Sequence, residues 1–208
     1  MSQKWSLVAD IGGTNARFSA LLEGQLESQY EFHHSVDEYP EFVNLIVILL
    51  REIKTATGWK TPPSRACFAV ACPAGNEIIS FTNSHWAFSK SELKTLLGCE
   101  TISVINDFEA VAHGITELSD ADLVQVGGHE PIQNKAVGVL GAGTGLGVAG
   151  LLPTESGYHV LDTEGGHADY SPINDLQSAV VDYLRGEFGR VSLERLLSGK
   201  GLLNIYSG

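Results

Sequence analysis

The chain has 208 residues, of which 43% are hydrophobic and 18% charged, and carries a formal net charge of −12. That length can bury a full core in one large domain or two small ones, and the composition is that of a folded globular protein. The acidic balance excludes non-specific attraction to nucleic acid or an anionic membrane, and the longest fully apolar run, Leu45 to Leu50, is far too short to span a bilayer.

The first stretch, Ser6-Leu-Val-Ala-Asp10-Ile-Gly-Gly-Thr-Asn15-Ala-Arg-Phe-Ser-Ala-Leu-Leu22, reads as two apolar strands around a glycine turn. Gly12 and Gly13 are expected at positive φ, as a tight hairpin requires. A turn without side chains also lets backbone N–H groups approach a phosphate, and Thr14 and Asn15 add side-chain donors. Asp10, at the end of the incoming strand, places a carboxylate where a phosphate-bound cation would sit. Taken alone, the stretch is also consistent with a plain hairpin that has a glycine tip.

Ser35-Val-Asp-Glu38 has capping-box spacing before Pro40, and Phe42, Leu45, Ile46, Leu49, Leu50 and Ile53 fall at helical spacing, with a stop near Gly58. Arg65 to Cys72 reads as a buried strand, Pro73–Asn76 as a turn and Glu77 to Asn83 as a further strand. Ser89-Lys-Ser-Glu92 opens a short helix ending at Gly98, Thr101 to Ile105 forms a strand, and Phe108 to Ile115 a helix. Hairpins mixed with crossovers predict an α/β domain with a mixed sheet. His33-His34 is read as a solvated pair, and Trp5, Trp59 and Trp86 as core or rim residues. Three cysteines, Cys67, Cys72 and Cys99, without metal-type spacing predict reduced core thiols, and the chain opens without a basic, apolar leader. Both point to a cytoplasmic protein.

A second unit is expected to begin between Glu117 and Leu123. Lys135 to Leu152 repeats the first plan: an apolar strand, a turn with Gly141, Gly143, Thr144 and Gly145, and an apolar strand going back. Two hairpins of one design suggest two related halves facing a common ligand. Gly145-Leu-Gly-Val-Ala-Gly150 matches the dinucleotide fingerprint, which requires a following helix; here a strand and Pro153 follow, so the match is rejected. The pattern then predicts a strand from Tyr158 to Leu161, a Gly165-Gly166 turn, a helix from Asp175 to Arg185 and a shorter helix capped by Ser192, running to Leu197 and stopped by Gly199. Another apolar helix around Leu202, Leu203, Ile205 and Tyr206 comes last.

In that order, LVADIGGTNARF, ACPAG, TNSHWAFS, VINDFEAVA, GAGTGLGV, EGGHADY and ERLLSGKGLLNIY resemble the bacterial glucokinase family, the branch without a zinc-binding cysteine cluster. The resemblance implies an α/β fold of the actin-like, ribonuclease-H-like ATPase type, with mixed sheets and glycine hairpins. It implies two domains, 1–116 and 117–208, the second incomplete, so that the chain looks like an N-terminal portion. The part beyond would carry most of the adenine pocket and a helix packing back on the first domain. It also implies a homodimer that phosphorylates D-glucose with ATP and Mg²⁺.

Phosphoryl transfer to a hydroxyl needs a positioned base, and Asp107, at a strand end, is the candidate; its other reading is a cap for the helix from Phe108. The family pattern places Asn106, Asp107, Glu164, His167 and Glu194 around glucose, with Asn83 and His85 as lesser candidates shaping the sugar loop. By the same resemblance Asp10 orients Mg²⁺ through water, and Gly12, Gly13, Thr14, Asn15, Gly141, Gly143, Thr144 and Gly145 bind phosphates. A sugar-sensing module that keeps the cleft without turnover stays open as an alternative, as does a kinase for another hexose or donor.

Overall fold

A computed structural model describes residues 4–25, 27, 29–81, 84–128 and 132–208. The chain divides into two compact units, Met1–Ala110 and Val111–Gly208.

The first unit is built on a five-stranded mixed sheet in the order β3-β2-β1-β4-β7. β1 (Trp5–Ile11) and β2 (Asn15–Leu22) form the expected antiparallel hairpin, and β3 (Tyr30–Ser35) extends it on the outer side. β4 (Arg65–Val70) and β7 (Thr101–Asn106) run parallel to β1 on the other side. Along β1 the side chains alternate, with Trp5, Leu7, Ala9 and Ile11 buried and Val8 and Asp10 exposed, as a two-residue period dictates.

The buried face is covered by α1 (Phe42–Thr57), whose Phe42, Leu45, Ile46, Leu49 and Ile53 lie in the core. At its end Gly58 takes φ 72°, a left-handed cap that glycine adopts without a Cβ penalty. The Ser35 box, however, opens only a single 3₁₀ turn, Val36–Glu38, and Ser35 makes no side-chain cap bond. The reason is local: Tyr39 precedes Pro40 and is held extended at φ −126°, so the α-helix cannot start until Phe42.

A small ladder of β5 (Ile78–Ser80) and β6 (Ala87–Ser89) carries Phe88, which stacks on Phe42 at 4.7 Å, beside Trp86 at 5.4 Å from the same ring. The strand expected over 77–83 is thus three residues long, and its last expected residue, Asn83, lies outside the described residues. Trp5, Trp59 and Trp86 are all buried. His34 is not solvated: it is turned inward between Tyr39 Oη at 3.0 Å and Glu52 Oε2 at 3.0 Å, whereas His33 is exposed.

α2 (Lys90–Leu97) starts as the sequence predicts, with the Ser89 hydroxyl accepting from Glu92 N, and ends on Gly98. Glu77 accepts hydrogen bonds from Ser91 N and Ser89 Oγ, each at 2.9 Å. The backbone bond from Ser91, then the hydroxyls of Ser91 and Ser89, hold its carboxyl below the ordinary glutamate range. A depressed carboxyl stabilises the fold above its unfolded value, about pH 4.3, and that contribution is lost as pH falls through the lower folded value. Glu77→Gln is therefore expected to flatten this part of the acid-denaturation curve, read by circular dichroism between about pH 5 and 2.

α3 (Asp107–Ile115) follows β7 directly. In the second unit β8 (Val137–Ala142), β9 (Leu146–Thr154) and β10 (Gly157–Thr163) form a sheet in the order β10-β9-β8. β9 continues as a strand after the glycines, as expected. Pro153 lies beyond the reach of β8, whose pairing ends at Leu151, so its missing N–H breaks no bond on that side.

A 3₁₀ turn at Gly165–His167 leads to α4 (Asp175–Phe188), capped by Asn174 accepting from Gln177 N and extending past the expected end at Arg185. The short helix expected after Ser192 is a single 3₁₀ turn, Leu193–Arg195, and the Ser192 side chain makes no cap bond. Gly199 stops nothing. It is the first residue of α5 (Gly199–Ser207), because Ser198 supplies a stronger N-cap, accepting from Gly201 N at 3.0 Å. Among the described residues no helix is long and apolar enough to cross a membrane.

Candidate functional site

In the first unit three parallel strands end together. Ile11 is in register with Val70, and Val70 with Asn106, so the turn after β1 and the start of α3 share one edge of the sheet. At about 4.8 Å per strand, β1 and β7 are roughly 10 Å apart there. Ligands of open α/β sheets bind at this carboxyl edge, where loops diverge and amides are unpaired.

The turn closes with Gly12 N donating to Asn15 O at 2.9 Å, Val36 N donating to Thr14 O at 2.9 Å, and Asn15 Nδ2 donating to Thr14 Oγ1 at 3.1 Å. The positive φ expected at Gly12 and Gly13 is absent; neither is among the glycines with φ above zero. The strands pair up to Ile11 and Ala16, which leaves a loop wide enough for ordinary backbone angles. A Cβ on Gly12 would meet only Asn15 O, at 3.6 Å, so neither backbone nor packing demands glycine there.

Asp10 stands on the exposed face of β1 opposite Arg17, with Nη1 and Oδ2 3.8 Å apart. Arg17 is a cation beside the turn to which the sequence pattern assigned no role. Among the described residues no group of three His, Cys, Asp or Glu could hold a metal ion. A single exposed carboxylate does fit a magnesium ion that keeps most of its waters and is carried by phosphates.

Asn106 and Asp107 are half-buried where β7 becomes α3. Phe108 N donates to both Asn106 Oδ1 and Asp107 Oδ1, each at 2.8 Å. The helix start is therefore satisfied by Asn106 as well, and capping alone does not require an acid at 107. Cys72 lies close enough that, after burial, the Asp107 charge is the next cause raising its thiol; burial and then Glu109 do the same for Cys67. All three cysteines are free thiols, as expected. His85 Nε2 and Trp86 Nε1 both lie 2.9 Å from the carbonyl oxygen of Tyr39.

The second unit gathers the remaining candidates around its own glycine turn. Gly141 pairs with Gly147 in the hairpin, Gly143 and Thr144 are exposed at its tip, and Gly143 N donates to Gly145 O at 2.8 Å. Glu194 Oε2 accepts from Leu146 N at 3.0 Å. Its other oxygen lies 4.0 Å from His167 Nδ1, and His167 Nε2 lies 3.6 Å from Glu164 Oε2. Glu164, His167 and Glu194 thus form one chain of polar groups that ends on the turn.

Two glycines allow that arrangement. A Cβ on Gly166 would collide with the carbonyl of Leu146, and one on Gly145 with the carboxylate of Glu194. Arg190, unremarked in the sequence pattern, fixes the loop from behind, donating to the carbonyl of His167 and to Asp169 Oδ1. The bonds from Leu193 N to Ala168 O and from Tyr170 N to Val191 O, at 2.9 and 3.0 Å, fasten the same two segments.

A protein-family model described as Glucokinase matches residues 7–208. The chain is 40% identical over 205 residues to a glucokinase of Marinobacter nauticus, covering 99% of this chain and 62% of that protein. It is 43% identical over 203 residues to a glucokinase of Photorhabdus laumondii, covering 97% and 61%. The crystal structure of a glucokinase from an Antarctic psychrotroph superposes with a TM-score of 0.82 at 33% identity, covering 98% of this chain and 63% of that one. The chain thus spans about 62% of the length of the curated relatives it matches.

Proposed function

This chain belongs to the glucokinase family, and from that membership we propose that the protein transfers the γ-phosphoryl group of ATP to the 6-hydroxyl of D-glucose, giving glucose 6-phosphate and ADP. Its fold is the actin-like ATPase fold of the sugar kinases. The observation that carries the proposal is the shared carboxyl edge, where the 12–15 turn and the Asn106-Asp107 pair lie within two strands of each other.

In this reading Asp107 accepts the proton of the 6-hydroxyl as its oxygen attacks the γ-phosphorus, and the bond to the β–γ bridging oxygen breaks to release ADP. Asn106, Glu164, His167 and Glu194 hold the remaining hydroxyls. The polar chain from Glu164 through His167 to Glu194 gives the alternation of acceptors and donors that a polyol needs. Gly12, Gly13, Thr14 and Asn15, with Gly141, Gly143, Thr144 and Gly145, receive the phosphates. The absence of a side chain at Gly12, which the fold does not require, suits close approach of a phosphate to the backbone.

Magnesium bound with the nucleotide would spread the phosphate charge. Asp10 would hold its water shell, with Arg17 keeping that carboxylate in place. We keep the two expected domains, 1–116 and 117–208, and expect bound sugar to exclude water, the competing nucleophile. The working protein is a cytoplasmic homodimer in this account.

Calorimetry with glucose and with Mg·ATP, together with NADP⁺ reduction coupled through glucose-6-phosphate dehydrogenase, tests the proposal on the full-length protein. Binding of both ligands with turnover is expected. Glucose binding without nucleotide binding or turnover would replace the kinase with a sugar sensor.

A further inference from the structure

The carboxylate of Glu194 does two things at once. Oε2 accepts the Leu146 amide at the base of the second glycine turn, and Oε1 approaches His167 Nδ1 in the sugar loop. Oε2 is thus committed to the turn, while Oε1 faces His167 across 4.0 Å, too far for a hydrogen bond, in a side chain that is 33% exposed. Gly145, immediately before Leu146, is the residue that admits it: a methyl group there would overlap Oε2 and come within 3.3 Å of Cδ. Further along the turn, Gly143 O accepts from Gly199 N at 2.8 Å, which ties the start of α5, five residues past Glu194, to the same loop.

We propose that Gly145 is a sugar-affinity determinant, acting through Glu194, and that this one carboxylate links sugar occupancy to the geometry of the phosphate turn. The inference rests on the sugar-kinase reading above. Its physical content is a shared hydrogen-bond acceptor. Holding Oε2 on Leu146 N fixes the rotamer that aims Oε1 at a sugar hydroxyl, so less ordering remains when the sugar binds. Sugar that fastens Oε1 in return stiffens the Leu146 amide, and with it the turn that must receive phosphate. Linkage makes the effect reciprocal: sugar raises nucleotide affinity by the factor by which nucleotide raises sugar affinity.

Gly145→Ala separates this role from a structural one. The atom a methyl group would strike is the far end of a flexible side chain, so Glu194 swings away at small cost to the fold. Loss of the bond to Leu146 N should lower the melting temperature by about 2–4 °C, less than a clash with main chain would. Glucose affinity, measured by calorimetry on the full-length protein without nucleotide, should fall roughly ten- to a hundredfold, the worth of a charge-assisted bond. The Leu146 amide should exchange with solvent at least tenfold faster by NMR, a change that simple loosening elsewhere would not localise there.

Gly138→Ala is the control, since a Cβ at Gly138 meets only Leu140 Cδ1, at 3.8 Å, and should leave both readouts unchanged. Equal glucose affinity and equal Leu146 exchange in Gly145→Ala and the unsubstituted chain would overturn the inference alone. Absence of glucose binding by the unsubstituted full-length protein would overturn the sugar assignment itself, and the inference with it.

Discussion

Asp107→Asn is expected to lower kcat for glucose phosphorylation by about 10³-fold, within the range for a positioned general base, with glucose affinity changed only a few fold. The substitution is nearly isosteric, and the local structure tolerates it for a visible reason. Asn106 Oδ1 already accepts from Phe108 N, and an amide oxygen at 107 can keep the second bond to that nitrogen. A loss of turnover with an unchanged melting temperature would therefore belong to the proton transfer. Turnover within tenfold of the unsubstituted protein, read in the coupled assay on the full-length protein, would remove Asp107 from the role of base.

Gly166→Ala should instead act on the fold. A methyl group there meets the Leu146 carbonyl, which is main chain, lies in a residue paired with Ala142 of β8 and cannot rotate away. Overpacking against backbone costs about 2–3 kcal/mol, which for a chain of this size lowers the melting temperature by about 5–10 °C. Glucose binding should fall with it, because the displaced 3₁₀ turn carries His167 and follows Glu164. The contrast with Gly145→Ala is informative. Both glycines are crowded, but one faces a carboxylate that can move and the other a peptide that cannot. Equal melting temperatures for the two variants would contradict this account of the turn.

The local features of the chain were legible because they are written in adjacent residues. The Ser89 cap, the glycine stops at Gly58 and Gly98, and the apolar stripe from Phe42 to Ile53 each depend on a handful of neighbours, and each formed as expected. The Ser35 box failed to open α1 because the constraint from Pro40 on Tyr39 outweighs a capping side chain. The second misreading was of the same kind. Ser192 reads as the cap of a helix that Gly199 stops, but it is Ser198 that finds an amide to accept from, and Gly199 begins the helix.

What the pattern could not reveal is long-range. The inward turn of His34 depends on Glu52 from α1, and the β5–β6 ladder has strands of three residues, too short for a periodic signal. The bond from Leu146 N to Glu194 joins residues 48 apart, and nothing in either neighbourhood marks it. The same holds for Arg190, whose hold on the 167–169 segment spans more than twenty positions. In the candidate site, residue types and turns were readable, while the couplings between them are products of packing.

The central claim is that both glycine turns and Asp107 serve one phosphoryl transfer to a sugar. A crystal structure of the full-length protein with glucose and a non-hydrolysable ATP analogue tests it most directly. The account predicts phosphates against the amides of 12–15 and 141–145, and the sugar's 6-hydroxyl about 3 Å from the Asp107 carboxylate. It also predicts the other hydroxyls on Asn106, Glu164, His167 and Glu194. Glucose bound away from Asp107, or a nucleotide whose phosphates touch neither turn, would contradict it.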